Sequence, residues 1–223
     1  MAITVYTGGS GRDGGVTSHS LGTQTVQDGR MGLFMLLVAS YTADQPHVTA
    51  LDFNGNVCTK IVSNILSGGL TETSFWYFEN LTGSDMTGAL TATTDITAAS
   101  VMSQATITGY VPPNTGATFG TGDYRYLYDT ESLTPNYAAG VVIGIGGVGW
   151  IGVTTTLDGT TIHDLYTYAK PYIGTHYKTY TGGGSTSLNW NWDDAAAYQW
   201  WNVLMLEVVE DASTTFSPHV MMF

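Results

Sequence analysis

The sequence predicts an all-β chain: a two-sheet antiparallel β-sandwich built from two repeated halves. Helix signals are almost absent. Long stretches alternate β-branched or aromatic residues with Thr, Ser and Gly, and break at Gly and Asn at the 8–12-residue spacing typical of sandwich strands. An order of elements seen in residues 31–110 also recurs in residues 137–210. A chain of 223 residues is an ordinary length for one such body. At that size folding buries well over half of the unfolded surface, so no covalent staple is needed.

The first set of expected strands is Gly32–Tyr41, His47–Phe53, Val57–Ser63, Thr73–Asn80, Gly88–Thr94 and Ala99–Tyr110. The second is Gly140–Val148, Thr154–Thr156, Ile162–Tyr168, Tyr172–Tyr180, Ser185–Trp192 and Trp200–Glu210. Asn54-Gly55 and Asp158-Gly159 read as hairpin turns, because these residue types tolerate positive φ.

Each half opens on an apolar strand, LFMLLVASY and then AGVVIGIGGVG, and passes a Leu-Asp turn at Leu51 or Leu157. An aromatic strand then ends in Thr-Gly, FWYFENLTG and THYKTYTGG. A Thr/Ser-rich strand carries Leu90 or Leu188, and a long apolar strand closes the half. Matching positions lie roughly 98 to 106 residues apart. One half alone would leave an apolar face in water. Two Greek-key halves packed face to face solve this and make a sandwich of jelly-roll type.

The ends differ from the repeat. Residues 1–30 read as an N-terminal arm or edge strand plus a loop, with GGSGRDGG too Gly-rich to be a strand. Residues 111–136 read as a connecting loop that carries a small hairpin around Tyr124–Tyr128. Residues 211–223 form an apolar C-terminal tail with no charged group after Asp211. Free in water it would expose Phe216, Met221, Met222 and Phe223, so these residues are expected at an interface.

Six basic residues against 18 acidic ones give a formal net charge of -12. Phosphate backbones and anionic lipid bind clustered Lys and Arg, so nucleic acid and membrane insertion are not expected. Charged residues make up only 11%, and Thr, Ser, Asn and Gly supply the polarity, as in proteins that live against other proteins. The single cysteine, Cys58, excludes an intrachain disulfide and fits a reducing cytoplasm. The start MAITVYTGGS has neither a basic nor an apolar signal region, and the longest apolar run, Leu33–Ala39, is too short to span a bilayer.

No strong catalytic motif emerges, and neither a cofactor nor a metal is expected. His19, His47, His163, His176 and His219 form no HxH or HExxH pair. Cys58, among apolar neighbours, reads as a buried small residue. Glu72, Glu79 and Glu131 are the carboxylates to inspect for a glycosidase pair. Asp193-Asp194 is either a strand-ending turn or a pair of calcium ligands. GIGGVG from Gly144 has no following Lys or helix, so it is not a phosphate loop.

Trp190 and Trp192 alternate with Asn and so share one strand face, as a core pair or as a stacking platform for glycans. Tyr124, Tyr126 and Tyr128 repeat that pattern. Trp200 and Trp201 point to opposite faces, so at least one of them is expected to leave the core or to meet another subunit, with Trp201 an interface candidate.

Leu33–Tyr41, the strand Ser74–Asn80 followed by LTGS, and the Trp-bearing strands Leu188–Trp192 and Trp200–Glu210 resemble the jelly-roll accessory proteins of tailed bacteriophage virions. These are decoration or cement proteins, knobs and fibre heads, and the likeness of pattern covers residues 31–210. The resemblance implies a non-enzymatic virion protein, a homo-oligomer (often a trimer) docked on a major capsid or tail protein. The alternative is a carbohydrate-binding module that recognises host glycans through Trp190, Trp192, Tyr124 or Tyr126.

Overall fold

The computed structural model describes residues 2–40, 44–65, 70–111, 116–124, 128–148, 154–165, 171–182, 184–193 and 200–211. Among them there is no helix, and all named strand pairs are antiparallel. The first half contains β1 (Thr4–Val26), β2 (Arg30–Ser40), β3 (Val48–Phe53), β4 (Asn56–Val57), β5 (Thr59–Ile65), β6 (Thr71–Asn80) and β7 (Met86–Thr108). The second contains β8 (Thr118–Tyr124), β9 (Tyr128–Leu133), β10 (Ala139–Val148), β11 (Thr154–Leu157) and β12 (Thr160–Leu165). It ends with β13 (Tyr172–Thr181), β14 (Thr186–Asp193) and β15 (Trp200–Val209).

Every apolar residue of LFMLLVA on β2 is buried, and period 2 sends alternate residues into two different cores. Leu33, Met35 and Leu37 join a central cluster with Val141, Ile143, Ile145, Leu204, Leu206 and Val208. Phe34, Leu36 and Val38 turn the other way, onto Leu51, Phe53, Trp76 and Leu90. The second half repeats this, with Val142, Val203 and Met205 packed on Leu188 and Trp190. A strand covered on both faces reads as a continuous apolar run rather than an alternation, which explains these segments.

One pairing scheme runs through both halves. β2 lies between β6 and β7, and β10 lies between β13 and β15. β5 flanks β6 as β12 flanks β13, each with a register shift after its second residue. β3 pairs the first part of β7, and β11 pairs β14. The 23-residue β7 corresponds to two separate strands, β14 and β15. Its partner β1 likewise corresponds to β9 and β8. β5 runs beside β8, and β12 beside β1, so ten strand segments approach a closed barrel around the central cluster.

Three expectations need correction. GGSGRDGG lies within β1, paired with β7 between Thr7–Ala105 and Val16–Ala98. The segment 111–136 is not only a loop, because it contains β8 and β9. These belong to different sheets, so Tyr124–Tyr128 is not a hairpin. Asn54-Gly55 does close a hairpin from β3 to β4, with φ of 51° and 80°. Asp158-Gly159 instead carries the chain from β11 in one sheet to β12 in another.

Candidate functional site

Trp190 is not a stacking platform. Its side chain is fully buried, and its indole N–H donates to the Gly174 carbonyl at 2.9 Å. GIGGVG exists to receive it: a Cβ on Gly144 would stand 2.6 Å from the Trp190 ring, and one on Gly146 would collide with it too. Trp201 is buried in the same cluster, so it is a core residue and not a free interface residue of this body. Tyr124 lies on β8 opposite Trp200, and Trp192 on β14 opposite Thr155. The side chains of Tyr124 and Trp192, together with Tyr126, Asp194, Phe216, His219, Met221, Met222 and Phe223, lie outside the described residues.

Glu72 and Glu79 do not pair with each other. Glu72 is buried, held by the Lys60 ammonium at 2.9 Å and the Val48 amide at 2.9 Å, with His47 Nδ1 at 3.6 Å. Glu79 accepts from the Tyr110 hydroxyl at 2.8 Å. Seven residues apart on one strand, the two point to opposite faces about 23 Å apart, beyond the reach of a glycosidase pair. Glu131 is on β9, opposite Leu188. Cys58 is buried, and that burial, with Asp52 nearby, pushes its thiol up to about 12 against the opposing pull of a Phe53 backbone hydrogen bond, so it is no nucleophile.

Buried and half-buried polar groups elsewhere act as cross-links in both halves. Gln104 on β7 accepts from the Gly9 amide at 3.3 Å and donates to the Thr25 carbonyl at 2.9 Å. Glu207 on β15 accepts from the amides of Ala117 (2.7 Å), Asn136 (2.9 Å) and Tyr137 (3.1 Å), and from the Tyr180 hydroxyl. Beside β8, Asn64 donates to the Thr121 carbonyl at 2.8 Å and to Asn202 Oδ1 at 2.6 Å. Beside β1, His163 bonds Ser103 Oγ at 2.8 Å and the Gly8 backbone. Ser103 is fully buried, so this Ser–His pair closes a seam and does not present a nucleophile.

One charged cluster borders a cavity. On β13, Lys178 lies opposite Val142 of β10 and His176 opposite Gly144. The Lys178 ammonium donates to Asp158 Oδ2 and to the Ser187 carbonyl, each at 2.7 Å. Asp158 Oδ1 accepts from the Asn189 amide at 2.9 Å. Partial burial raises the Asp158 carboxyl, but Lys178, Asn189 and His176 outweigh it and leave it below its ordinary value.

His176 is fully buried beneath this pair, its ring edge-on to Trp190 with centroids 4.6 Å apart. Its Nδ1 is 4.0 Å from Asp158 Oδ1, and neither ring nitrogen has a hydrogen-bond partner among the described residues. Burial lowers its pKa to about 4. Asp158, Gly159, Thr160, Tyr177, Lys178 and Thr179 line a surface cavity of about 320 Å³.

The sequence signal for this site is Lys178 itself, one of six basic residues, on the aromatic strand THYKTYTGG. Among the described residues, no three His, Cys, Asp or Glu side chains are grouped to hold a metal ion. The cluster is suited to hydrogen bonding with a polar ligand, since its two charges neutralise each other. Comparison with known proteins returned no match: no family model, no curated protein and no solved structure is significantly similar to this chain.

Proposed function

We propose that this chain is a non-enzymatic structural subunit of a phage particle, a body of jelly-roll type that docks on a capsid or tail protein as a closed homo-oligomer. The observation that supports this reading is the use made of buried and half-buried polar groups. Gln104 and Asn64 in the first half, and Glu207 and His163 in the second, tie strands to one another. A barrel cross-linked in this way is a stiff spacer, suited to bearing load at fixed geometry. The acidic, Lys-poor composition agrees, since a particle protein must avoid sticking to the packaged nucleic acid.

The C-terminal residues Phe216–Phe223 supply the contact on this reading. Burying one Met or Phe side chain contributes roughly 1.5–3 kcal/mol, so a few such residues hold a subunit in place. Light scattering behind a sizing column tests the proposal. A trimer or larger closed ring that dissociates when residues 216–223 are deleted, without change in melting temperature, is expected. A strict monomer that also fails to sediment with purified particles overturns it.

A further inference from the structure

We infer that an apolar pocket between the start of β10 and the end of β13 receives the C-terminal segment 216–223 of a second copy of this chain. The inference rests on the homo-oligomer proposed above and names the surface that its tail engages. The pocket has a volume of about 140 Å³. Ile3 and Val141 line it, and both pack on the central cluster, so this is a place where that core reaches the surface. Tyr180 adds to the lining and is held by its hydroxyl on Glu207. Gly140 stays bare, because a Cβ there would collide with the Val208 carbonyl. Thr179 and Glu210 complete the lining.

The path of the chain selects the occupant. Beyond β15 the Glu210 amide donates to the Ala139 carbonyl at 3.3 Å, and the Asp211 amide to the Gly109 carbonyl at 2.9 Å. Glu210 itself lines the pocket, so residues 212–223 set out from beside it. Fully extended, those twelve residues reach about 40 Å. Phe216, Met221, Met222 and Phe223 match the apolar walls, and a cavity of this size holds a group as large as a benzene ring. The segment has no charged side chain after Asp211, so it brings no carboxylate side chain against Glu210. It is poorly made to turn back into its own pocket. It has no Gly or Asn for a tight reversal, and Thr214, Thr215 and Pro218 favour extended chain. The root of the tail and the pocket share one end of the body. A ring closed about an axis at that end therefore brings each tail to the pocket of the next copy, with no tail or pocket left over.

The test joins light scattering on the full chain to an NMR titration of the full chain with a synthetic peptide of residues 212–223. Thr179→Trp, an exposed change opposite Val141, fills the pocket. It is expected to weaken association at least tenfold, as deletion of residues 216–223 does. Val57→Lys, an exposed change in the first half, is expected to leave association unchanged. The peptide in excess is expected to dissociate the oligomer and to shift the amide signals of Ile3, Val141 and Thr179. Thermal melts check that each variant is folded, and the peptide shifts decide the matter in the natural chain whatever the variant does. An oligomer that is lost with the tail but indifferent to folded Thr179→Trp overturns the inference and leaves the proposed oligomer standing, as does a peptide that shifts signals only elsewhere. A chain that stays monomeric at every concentration overturns both.

Discussion

At the scale of single residues, neither ring nitrogen of His176 has a hydrogen-bond partner among the described residues, and burial favours its neutral form. Its pKa is near 4 when folded and 6.5 when unfolded. Between those values the unfolded chain binds the extra proton, so stability is complete above pH 6.5 and falls as the pH drops toward 4. The shift corresponds to about 3 kcal/mol at full effect. Urea unfolding at pH 7, 5 and 4 is expected to show this loss in the natural chain and much less of it in His176→Leu. Equal slopes in both chains would assign the acid sensitivity elsewhere. Trp190 makes a second case. Trp190→Ala empties the space shaped by Gly144 and Gly146 and is expected to cost about 3–5 kcal/mol in chemical denaturation. An exposed platform would show lost binding with an unchanged midpoint.

At the scale of elements, legibility in the sequence depended on whether a strand is covered on both faces. β2, β10 and β15 announce themselves because both of their faces are buried, and their expected bounds fall within two residues of the observed ones. β1 and β8 do not, and the reason is steric. A Cβ on Gly8 would lie 2.8 Å from the Gln104 side chain, one on Gly11 would collide with the Leu21 backbone, and one on Gly120 would lie 2.8 Å from Asn64. Glycine here marks close approach of chains rather than a loop. Four register shifts along β1 further blur its period, and such bulges also discourage edge-to-edge pairing with another copy. The Asp158–Lys178 site stayed hidden because it joins residues 20 apart across a change of sheet. Seams are the elements' weak joints. Asn64→Ala removes the bonds to Thr121 and Asn202, and is expected to cost about 1–3 kcal/mol. Hydrogen exchange should then quicken at the β8 amides and stay unchanged at the β1–β12 seam. Uniform acceleration would mean that Asn64 supports the whole barrel and not one joint.

At the scale of the whole molecule, the central cluster decides how the chain unfolds. Leu33, Met35 and Leu37 from one half meet Ile143, Ile145 and Leu206 from the other, and a Cβ on Gly147 would lie 2.6 Å from Leu37. Either half released from its partner would turn this apolar face to water, at roughly 25 cal/mol for each Å² exposed. The outer clusters do not compensate, because each belongs to one half and stays packed in both situations. The halves are therefore expected to melt together, in a single calorimetric transition. Leu37→Ala in the first half and Ile145→Ala in the second should each lower that one transition, by about 2–5 kcal/mol. Two resolved transitions, with each substitution moving only the one from its own half, would show that the halves are autonomous domains. The barrel would then be a docking of two finished bodies, and the seam residues Asn64 and His163 would matter to that docking rather than to folding.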